Sequence, residues 1–177
     1  MAFLPDNYKT PEGNFMKFKQ GDNCFRVLDS AITGYEYWNN EKRPIRSPSS
    51  FGAVPPDIRV EDDGKISIKH FWMFPVWNYD AEKIQILEIT QKGVQDAIKV
   101  LIKNPKWGDP TGFDLTISKE GSGFDTTYQV MPSPHSKLDA EVVKSYKAMK
   151  LNLPAVFTGD DPFNSLPQPT KKDEKPF

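Results

Sequence analysis

The chain has 177 residues, a formal net charge of −1 and 12% aromatic residues, which suits one domain with a substantial core and tails. Nucleic-acid-binding domains are usually basic overall, so any basic surface here must be balanced by acidic residues elsewhere. The single cysteine, Cys24, excludes an intrachain disulfide, and no segment reaches the ~20 apolar residues that a membrane helix needs.

Alternating apolar and polar residues, rich in β-branched and aromatic types, predict six β-strands. They cover residues 25–28, 32–38, 65–79, 83–90, 113–119 and 126–131. Gly34 is predicted to mark a bulge or bend. Residues 39–58 contain four prolines and three basic residues, and we interpret them as a long loop of the kind that is functional or disordered.

Two segments have the period of an α-helix. Apolar residues recur at helical spacing at Val94, Ala97, Ile98, Leu101 and Ile102. Thr90 is the predicted N-cap of this helix. A second helix is predicted over about residues 137–150, with Ser136 and Asp139 in a capping box.

This order of elements predicts a mainly β fold: a β-barrel of the OB-fold type with two helices and a flexible C-terminal tail. Another small β-barrel or an α+β sheet domain is the alternative. The predicted parts are an N-terminal extension (residues 1–14), an OB-fold domain (15–153) and a flexible tail (154–177).

The sequence carries no motif that predicts catalysis. It lacks a Gly-x-Ser-x-Gly motif, a P-loop and a cluster of His and Cys. The acidic pairs Asp62-Asp63 and Asp160-Asp161 could hold a divalent ion, but a solvated turn and an acidic tail are the simpler interpretation. We therefore expect a protein that is not an enzyme and that uses neither a metal nor a cofactor.

Aromatic and basic residues are interleaved in two stretches of the chain. Proteins that bind single strands stack bases on aromatic faces, at ~1–3 kcal/mol per base, and hold the backbone in a positive groove. The predicted phosphate contacts are Lys42, Arg43, Arg46, Lys65 and Lys69. The predicted stacking residues are Tyr35, Tyr37, Trp38, Phe71, Trp72 and Trp77.

Strand alternation assigns residues of the second stretch to two faces. One face carries Lys65, Lys69, Phe71 and Met73. The other face carries Ile66, Ile68, Trp72 and Phe74. Because lysines belong in solvent, the first set is predicted to face outward and the second to face the core. For each single aromatic residue, a place in the core is the alternative to a place on a binding surface.

The C-terminal residues predict a tail that binds partner proteins. Asp173 and Glu174 precede Phe177, and a terminal Phe on an acidic tail can dock in a partner's basic pocket. Three lysines dilute the acidic character: Lys171, Lys172 and Lys175. A disordered polar tail is the alternative.

A series of short segments carries a resemblance to a known family. In order they are Lys69-His70-Phe71-Trp72, residues 76–80, residues 83–90, Trp107-Gly108-Asp109-Pro110, residues 114–117, Gly121-Ser122-Gly123 and residues 127–130. Over about residues 20–135 the chain resembles phage-encoded single-stranded DNA-binding proteins of replication and recombination. The resemblance implies an OB-fold, sequence-tolerant binding of single strands, a tail that recruits replication proteins, and a place in the cytoplasm of a bacterial host.

The residues and the resemblance together predict a sequence-nonspecific single-stranded DNA-binding protein that coats and protects exposed strands. The alternative is a protein-interaction module that presents its exposed aromatics and its proline-rich loop to a partner. A small metal-dependent nuclease is a more distant alternative.

Overall fold

The computed structural model describes residues 3–5 and 13–163 of the chain. Within these ranges it has seven β-strands, two α-helices and three short 3-10 helices. The strands are β1 Gly21–Val27, β2 Ile32–Trp38, β3 Pro44–Ser47, β4 Lys69–Asn78, β5 Lys83–Ile89, β6 Asp114–Glu120 and β7 Thr127–Pro132. The helices are α1 Lys92–Lys103 and α2 Ala140–Met149, and the 3-10 helices are Pro110–Gly112, Gly123–Asp125 and Leu153–Thr158. The prediction of a mainly β chain with two helices is confirmed.

The strands form one antiparallel sheet organised around the ten-residue strand β4. On one edge β4 pairs with β2 and then with β1, and on its other edge it pairs with β5. Strand β1 also pairs with β6, and β6 pairs with β7. This connectivity, with α1 between β5 and β6, is consistent with an OB-like fold, which is a partly open barrel.

The sheet is not closed into the predicted barrel. Within residues 13–163, β5 and β7 do not pair with each other, which leaves a gap that we call the open seam. The segment before β1 lies along the free edge of β5, where Phe15 forms a parallel bridge with Ile86. The Met16 amide donates to the Ile86 carbonyl at 2.8 Å, and the Ile86 amide donates to the Asn14 carbonyl at 2.9 Å. Residues 14–16 therefore occupy the free edge of β5, which is the edge that would have to pair with β7 to close the barrel.

Both faces of β4 are buried, which contradicts the predicted division into an outward face and a core face. Phe74 and Val76 enter the larger core, which also contains β1, β5, β6 and α1. Phe71 and Met73 enter a second core that is covered by the 3-10 helix Leu153–Thr158. A strand that is buried on both faces loses the alternation of polar and apolar residues on which the prediction relied. The strand also begins at Lys69, so Ile66 and Ile68 precede it and are exposed.

The C-terminal boundary of the folded part also differs from the prediction. The predicted tail starts at residue 154, but Ala155 and Val156 are buried against the sheet, and Phe163 packs on the second core. Residues 164–177 lie outside the described residues, and they include the predicted partner-binding residues Asp173, Glu174 and Phe177. Most of the predicted N-terminal extension lies outside them as well.

A short edge strand lies inside the predicted loop 39–58. Strand β3 begins at Pro44, and a proline at the first position of an edge strand removes no ladder hydrogen bond. Gly34 of β2 allows the hairpin of β2 and β3 to pack closely. A side chain at this position would collide with the Ser47 carbonyl and with the rings of Phe71 and Phe157. The prediction of a bulge at Gly34 is thus replaced by a close approach between chain segments.

The helix caps also differ from the predicted ones. Helix α1 has Gln91 as its N-cap in place of Thr90. Helix α2 begins after Asp139, whose side chain accepts a hydrogen bond from the Glu141 amide at 2.9 Å. Ser136 instead accepts a hydrogen bond from Arg26 at 2.7 Å, which ties the segment before α2 to β1.

Candidate nucleic-acid interface

A groove of about 760 Å³ lies at the open seam. Four parts of the chain form its walls: residues 13–18, the β2–β3 hairpin, the end of β5 and the β6–β7 hairpin. We call it the seam groove. The side chains that matter for binding are Lys17, Phe18, Trp38, Arg46, Lys119 and Tyr128. Aromatic and basic groups therefore meet in one concave surface, as single-strand binding requires.

The aromatic residues of the seam groove differ in exposure. Trp38, the last residue of β2, is 47% exposed, so its ring can receive a base. Phe18 and Tyr128 pack against the larger core, with their ring centroids 5.8 Å apart at an angle of 56°. These two rings form a fixed wall, whereas Trp38 offers an open stacking face.

Two lysines give the seam groove a positive charge. Lys17 is exposed and Lys119 is half-buried, and neither forms an ion pair with another residue of the described ranges. Lys119 is the cross-strand partner of Tyr128 in the β6–β7 pair, so this lysine and this aromatic ring are held side by side. Each lysine ammonium can therefore contact a phosphate without first breaking an ion pair.

Arg46 lines the same groove but is already paired. Its Nε lies 3.2 Å from Glu36 Oε1 and 3.1 Å from Glu88 Oε2, and its guanidinium lies over the Phe71 ring at 5.8 Å. The terminal nitrogens Nη1 and Nη2 have no hydrogen-bond partner among the described residues. In the described part of the chain no buried side-chain nitrogen or oxygen lacks a partner, so these two nitrogens are reached by solvent. They remain available as donors to a bound anion.

Glu36 affects the net charge of the cluster formed by Arg46, Glu36 and Glu88. Burial, together with the neighbouring Glu88 carboxylate, raises the pKa of Glu36 to about 8. This shift favours the protonated, uncharged form of the Glu36 carboxyl, which reduces the negative charge beside Arg46 and so reduces the repulsion of a phosphate.

The predicted contact residues are distributed over several parts of the surface. Trp38 and Arg46 lie in the seam groove. Lys42 and Arg43 are exposed in the β2–β3 turn, where the Asn39 side chain accepts hydrogen bonds from the amides of Glu41 and Arg43. The other exposed or half-buried members lie outside the seam groove: Tyr35, Lys65, Lys69, Trp72 and Trp77.

Two predicted stacking residues are buried, and these predictions are wrong. Phe71 is completely buried in the second core beside Phe157. Tyr37 is 6% exposed and donates a hydrogen bond from its hydroxyl to Asp57 at 2.8 Å, which anchors the proline-rich segment to the sheet. Neither ring can receive a base without unfolding its surroundings, because the face that would stack is already covered.

The sequence reasoning missed four residues of the seam groove: Lys17, Phe18, Lys119 and Tyr128. Lys119 and Tyr128 stand at facing positions of the hairpin between two strands that were predicted. Their pairing could have been obtained from the hairpin register. Lys17 and Phe18 carry no such signal, because only the tertiary fold brings residues 13–18 to the edge of β5.

Comparison with known proteins gives one informative similarity. The chain is 27% identical to the "Probable ssDNA-binding protein" of Escherichia phage T5, over 66% of this chain and 53% of that protein. The chain thus spans about half the length of this relative. No protein-family model and no solved structure matches the chain.

In residues 3–5 and 13–163, no helix combines the length and apolar character needed to cross a bilayer. The same part of the chain has no group of three or more His, Cys, Asp or Glu side chains placed to hold a metal ion.

Proposed function

We propose that this protein binds single-stranded DNA without sequence preference and coats and protects exposed strands during phage DNA replication, recombination and repair. The observation that carries the proposal is the seam groove, in which the exposed ring of Trp38 lies among Lys17, Lys119 and the free nitrogens of Arg46. The similarity to the phage T5 protein supports the same ligand class.

The proposed binding mode uses stacking and charge. A base stacks on Trp38, while Lys17 and Lys119 contact phosphates and Arg46 donates hydrogen bonds from Nη1 and Nη2. Every base has an aromatic face, and phosphates are the same at every position, so this mode tolerates any sequence. Duplex DNA is disfavoured because its bases are already stacked on each other and cannot reach Trp38.

The proposed activity is binding alone, with no catalytic step and no cofactor, in the cytoplasm of a bacterial host. We further propose that the C-terminal residues Asp173, Glu174 and Phe177 recruit replication or recombination proteins. These residues lie outside the described ranges, so this part of the proposal rests on the sequence.

Tryptophan fluorescence tests the proposal directly. We expect titration with oligothymidine to quench the wild-type fluorescence, with an affinity that falls as salt rises, and duplex DNA to cause little quenching. The variant Trp38→Phe should lose most of this quenching. Trp72→Phe is the matched control, because Trp72 packs on the larger core outside the seam groove. Full quenching in Trp38→Phe, or an affinity that is independent of salt, would contradict the proposal.

One observation favours the protein-interaction module as a second candidate function. An apolar hollow of about 610 Å³ between α1 and the β1–β2 turn is lined by Trp72, Ile98 and the 45% exposed Ile102. Exposed apolar surface of this kind is typical of sites that receive a protein partner. This function predicts that Ile102→Asp abolishes capture of a partner protein from host lysate, while oligothymidine causes no change in tryptophan fluorescence.

A further inference from the structure

A second basic surface lies where α1 meets the sheet. It is a hollow of about 420 Å³ formed by the start of β4, the end of β5 and the first two turns of α1. Three lysines line it together with one carboxylate: Lys69, Lys92, Lys99 and Asp96. We call it the lysine hollow.

The lysine hollow has an excess of positive charge. Lys92 and Lys99 both pair with Asp96, at 3.0 Å and 3.4 Å. Lys69 forms no ion pair with another residue of the described ranges. The hydrogen bond from Lys92 holds the pKa of Asp96 below its usual range, so this carboxylate stays ionised. Three positive charges then face one negative charge, which leaves two positive charges for a ligand to neutralise.

The elements that carry these lysines are fixed to one another. The buried Gln95 side chain donates hydrogen bonds to the His70 carbonyl of β4 at 3.2 Å and to the Ile89 carbonyl of β5 at 2.9 Å. His70 is fixed in turn, since its Nδ1 lies 2.9 Å from the Gly34 carbonyl and its ring packs on Tyr35 with centroids 5.0 Å apart. The three lysines therefore project from a rigid frame.

The lysine hollow and the seam groove are lined by neighbouring residues of the chain. Gln91 lines the seam groove, and its two neighbours in the chain, Thr90 and Lys92, line the lysine hollow. On the other wall, Lys69 is the cross-strand partner of Glu36, which lies two residues before Trp38 in β2. A strand that leaves the seam groove past Gln91 thus arrives at the lysines.

We propose that the lysine hollow is a second phosphate-contact site, so that one single strand of DNA runs from Trp38 past Gln91 to Lys69, Lys92 and Lys99. This inference rests on the proposed function and extends it, because it assigns a direction to the bound strand and a longer footprint than the seam groove alone. It also assigns a role to Lys69, a predicted phosphate contact that lies outside the seam groove.

The test compares a short and a long oligothymidine, of about 5 and about 15 nucleotides, within the range of site sizes for one OB-type domain. The variant is the triple substitution K69Q/K92Q/K99Q. The matched control is K103Q/K144Q/K147Q, which removes the same charge from exposed lysines at the end of α1 and on α2. Affinity is measured by tryptophan quenching at several salt concentrations, after circular dichroism has shown that each variant is folded.

We expect the triple variant to lose about tenfold or more in affinity for the long oligonucleotide and less than about twofold for the short one. The slope of log affinity against log salt is negative and should become less steep by about 0.7 for each phosphate contact removed. Because Asp96 offsets one of the three lysines, the triple variant should make it less steep by about 1.4. Asp96→Asn should act in the opposite sense, with tighter binding of the long oligonucleotide only. This variant keeps all three lysines and so tests the site even where the triple variant is unstable.

Equal losses in the triple variant and its control would overturn the lysine hollow as a site, because they would indicate a general effect of net charge. A long-oligonucleotide affinity that neither the triple variant nor Asp96→Asn changes would overturn it as well. Failure of the proposed function looks different, since the wild-type protein would then show no quenching even with the short oligonucleotide.

Discussion

Arg26 and Arg46 are both arginines of the sheet that are held by carboxylates, yet they differ in how completely they are satisfied. Arg26 is 1% exposed, and its three nitrogens donate to Asp114 at 2.7 Å, to the Thr111 carbonyl at 3.3 Å and to Ser136 at 2.7 Å. Arg46 is 13% exposed, and only its Nε is used, shared between two glutamates. The fold covers the guanidinium of Arg26, whereas Nη1 and Nη2 of Arg46 remain free to donate hydrogen bonds in the seam groove.

This difference separates a structural arginine from a binding arginine. Arg26 joins β1, β6 and the segment before α2, so its hydrogen bonds stabilise the fold, and its burial keeps the guanidinium out of reach of a ligand. Arg46 is positioned by Glu36 and Glu88, which fix the guanidinium without using its terminal nitrogens. Each arginine also has an exposed aromatic residue nearby: Tyr79 donates to Asp114 at 2.8 Å, and Trp38 shares the seam groove with Arg46.

The largest expected effect of a substitution is a loss of stability in a variant of Arg26. Arg26→Lys should lower the free energy of unfolding by about 3 kcal/mol, because a lysine cannot reproduce the bonds to Thr111 and Ser136, each worth ~1.5–3 kcal/mol for a charged donor. Chemical denaturation measures this loss. The folded fraction should bind oligothymidine with wild-type affinity, and a loss of affinity in folded Arg26→Lys would remove the distinction between the two arginines.

The next largest effect is a loss of DNA affinity in a variant of the seam groove, where Arg46 lies. Trp38→Ala should weaken oligothymidine binding by about 2 kcal/mol, or about 30-fold, because one stacked base is lost. Fluorescence anisotropy of a labelled oligonucleotide measures it without relying on the removed tryptophan. Tyr79→Ala, which removes the exposed ring near Arg26, is the control and should bind normally. If Tyr79→Ala weakens binding as much as Trp38→Ala, the DNA does not select the seam groove.

Arg46→Lys should give a smaller loss of affinity, about 1.5 kcal/mol or about tenfold, with little change in stability. A lysine at this position keeps a positive charge beside Glu88 but lacks the two terminal nitrogens of arginine. Anisotropy and chemical denaturation on the same sample separate the two effects. If Arg26→Lys and Arg46→Lys change stability and affinity in the same proportion, the two arginines do not have different roles.

A further expected effect is on the pH dependence of stability. The folded state raises the pKa of Glu36 from 4.5 to about 8, so it favours the protonated carboxyl. The contribution of Glu36 to stability is then fully present below the usual pKa of a glutamate and is lost as pH rises through about 8. Glu36→Gln should flatten this decline, as measured by thermal unfolding from about pH 5 to about pH 9. The control Glu41→Gln, at a 73% exposed side chain, should follow the wild type.

The sequence alone was sufficient for the local elements. The strands β2, β5, β6 and β7 and both helices lie close to the predicted ranges, because alternation and helical period act over neighbouring residues. Strand β1 begins at Gly21, four residues before the predicted strand. Trp38 and Arg46 were also among the predicted contacts. The short strand β3 was missed because four residues that begin with a proline do not show an alternation.

The site required the tertiary structure. Phe71 and Tyr37 have the composition of a stacking surface, but the 3-10 helix Leu153–Thr158 covers one and the proline-rich segment holds the other. The seam groove joins Lys17, Trp38 and Lys119, which are separated along the chain and meet only where β5 and β7 fail to pair. Local pattern thus determined which residues form strands and helices, whereas the packing of distant segments decided which aromatic and basic residues remain exposed, because burial depends on contacts that no local window of sequence contains.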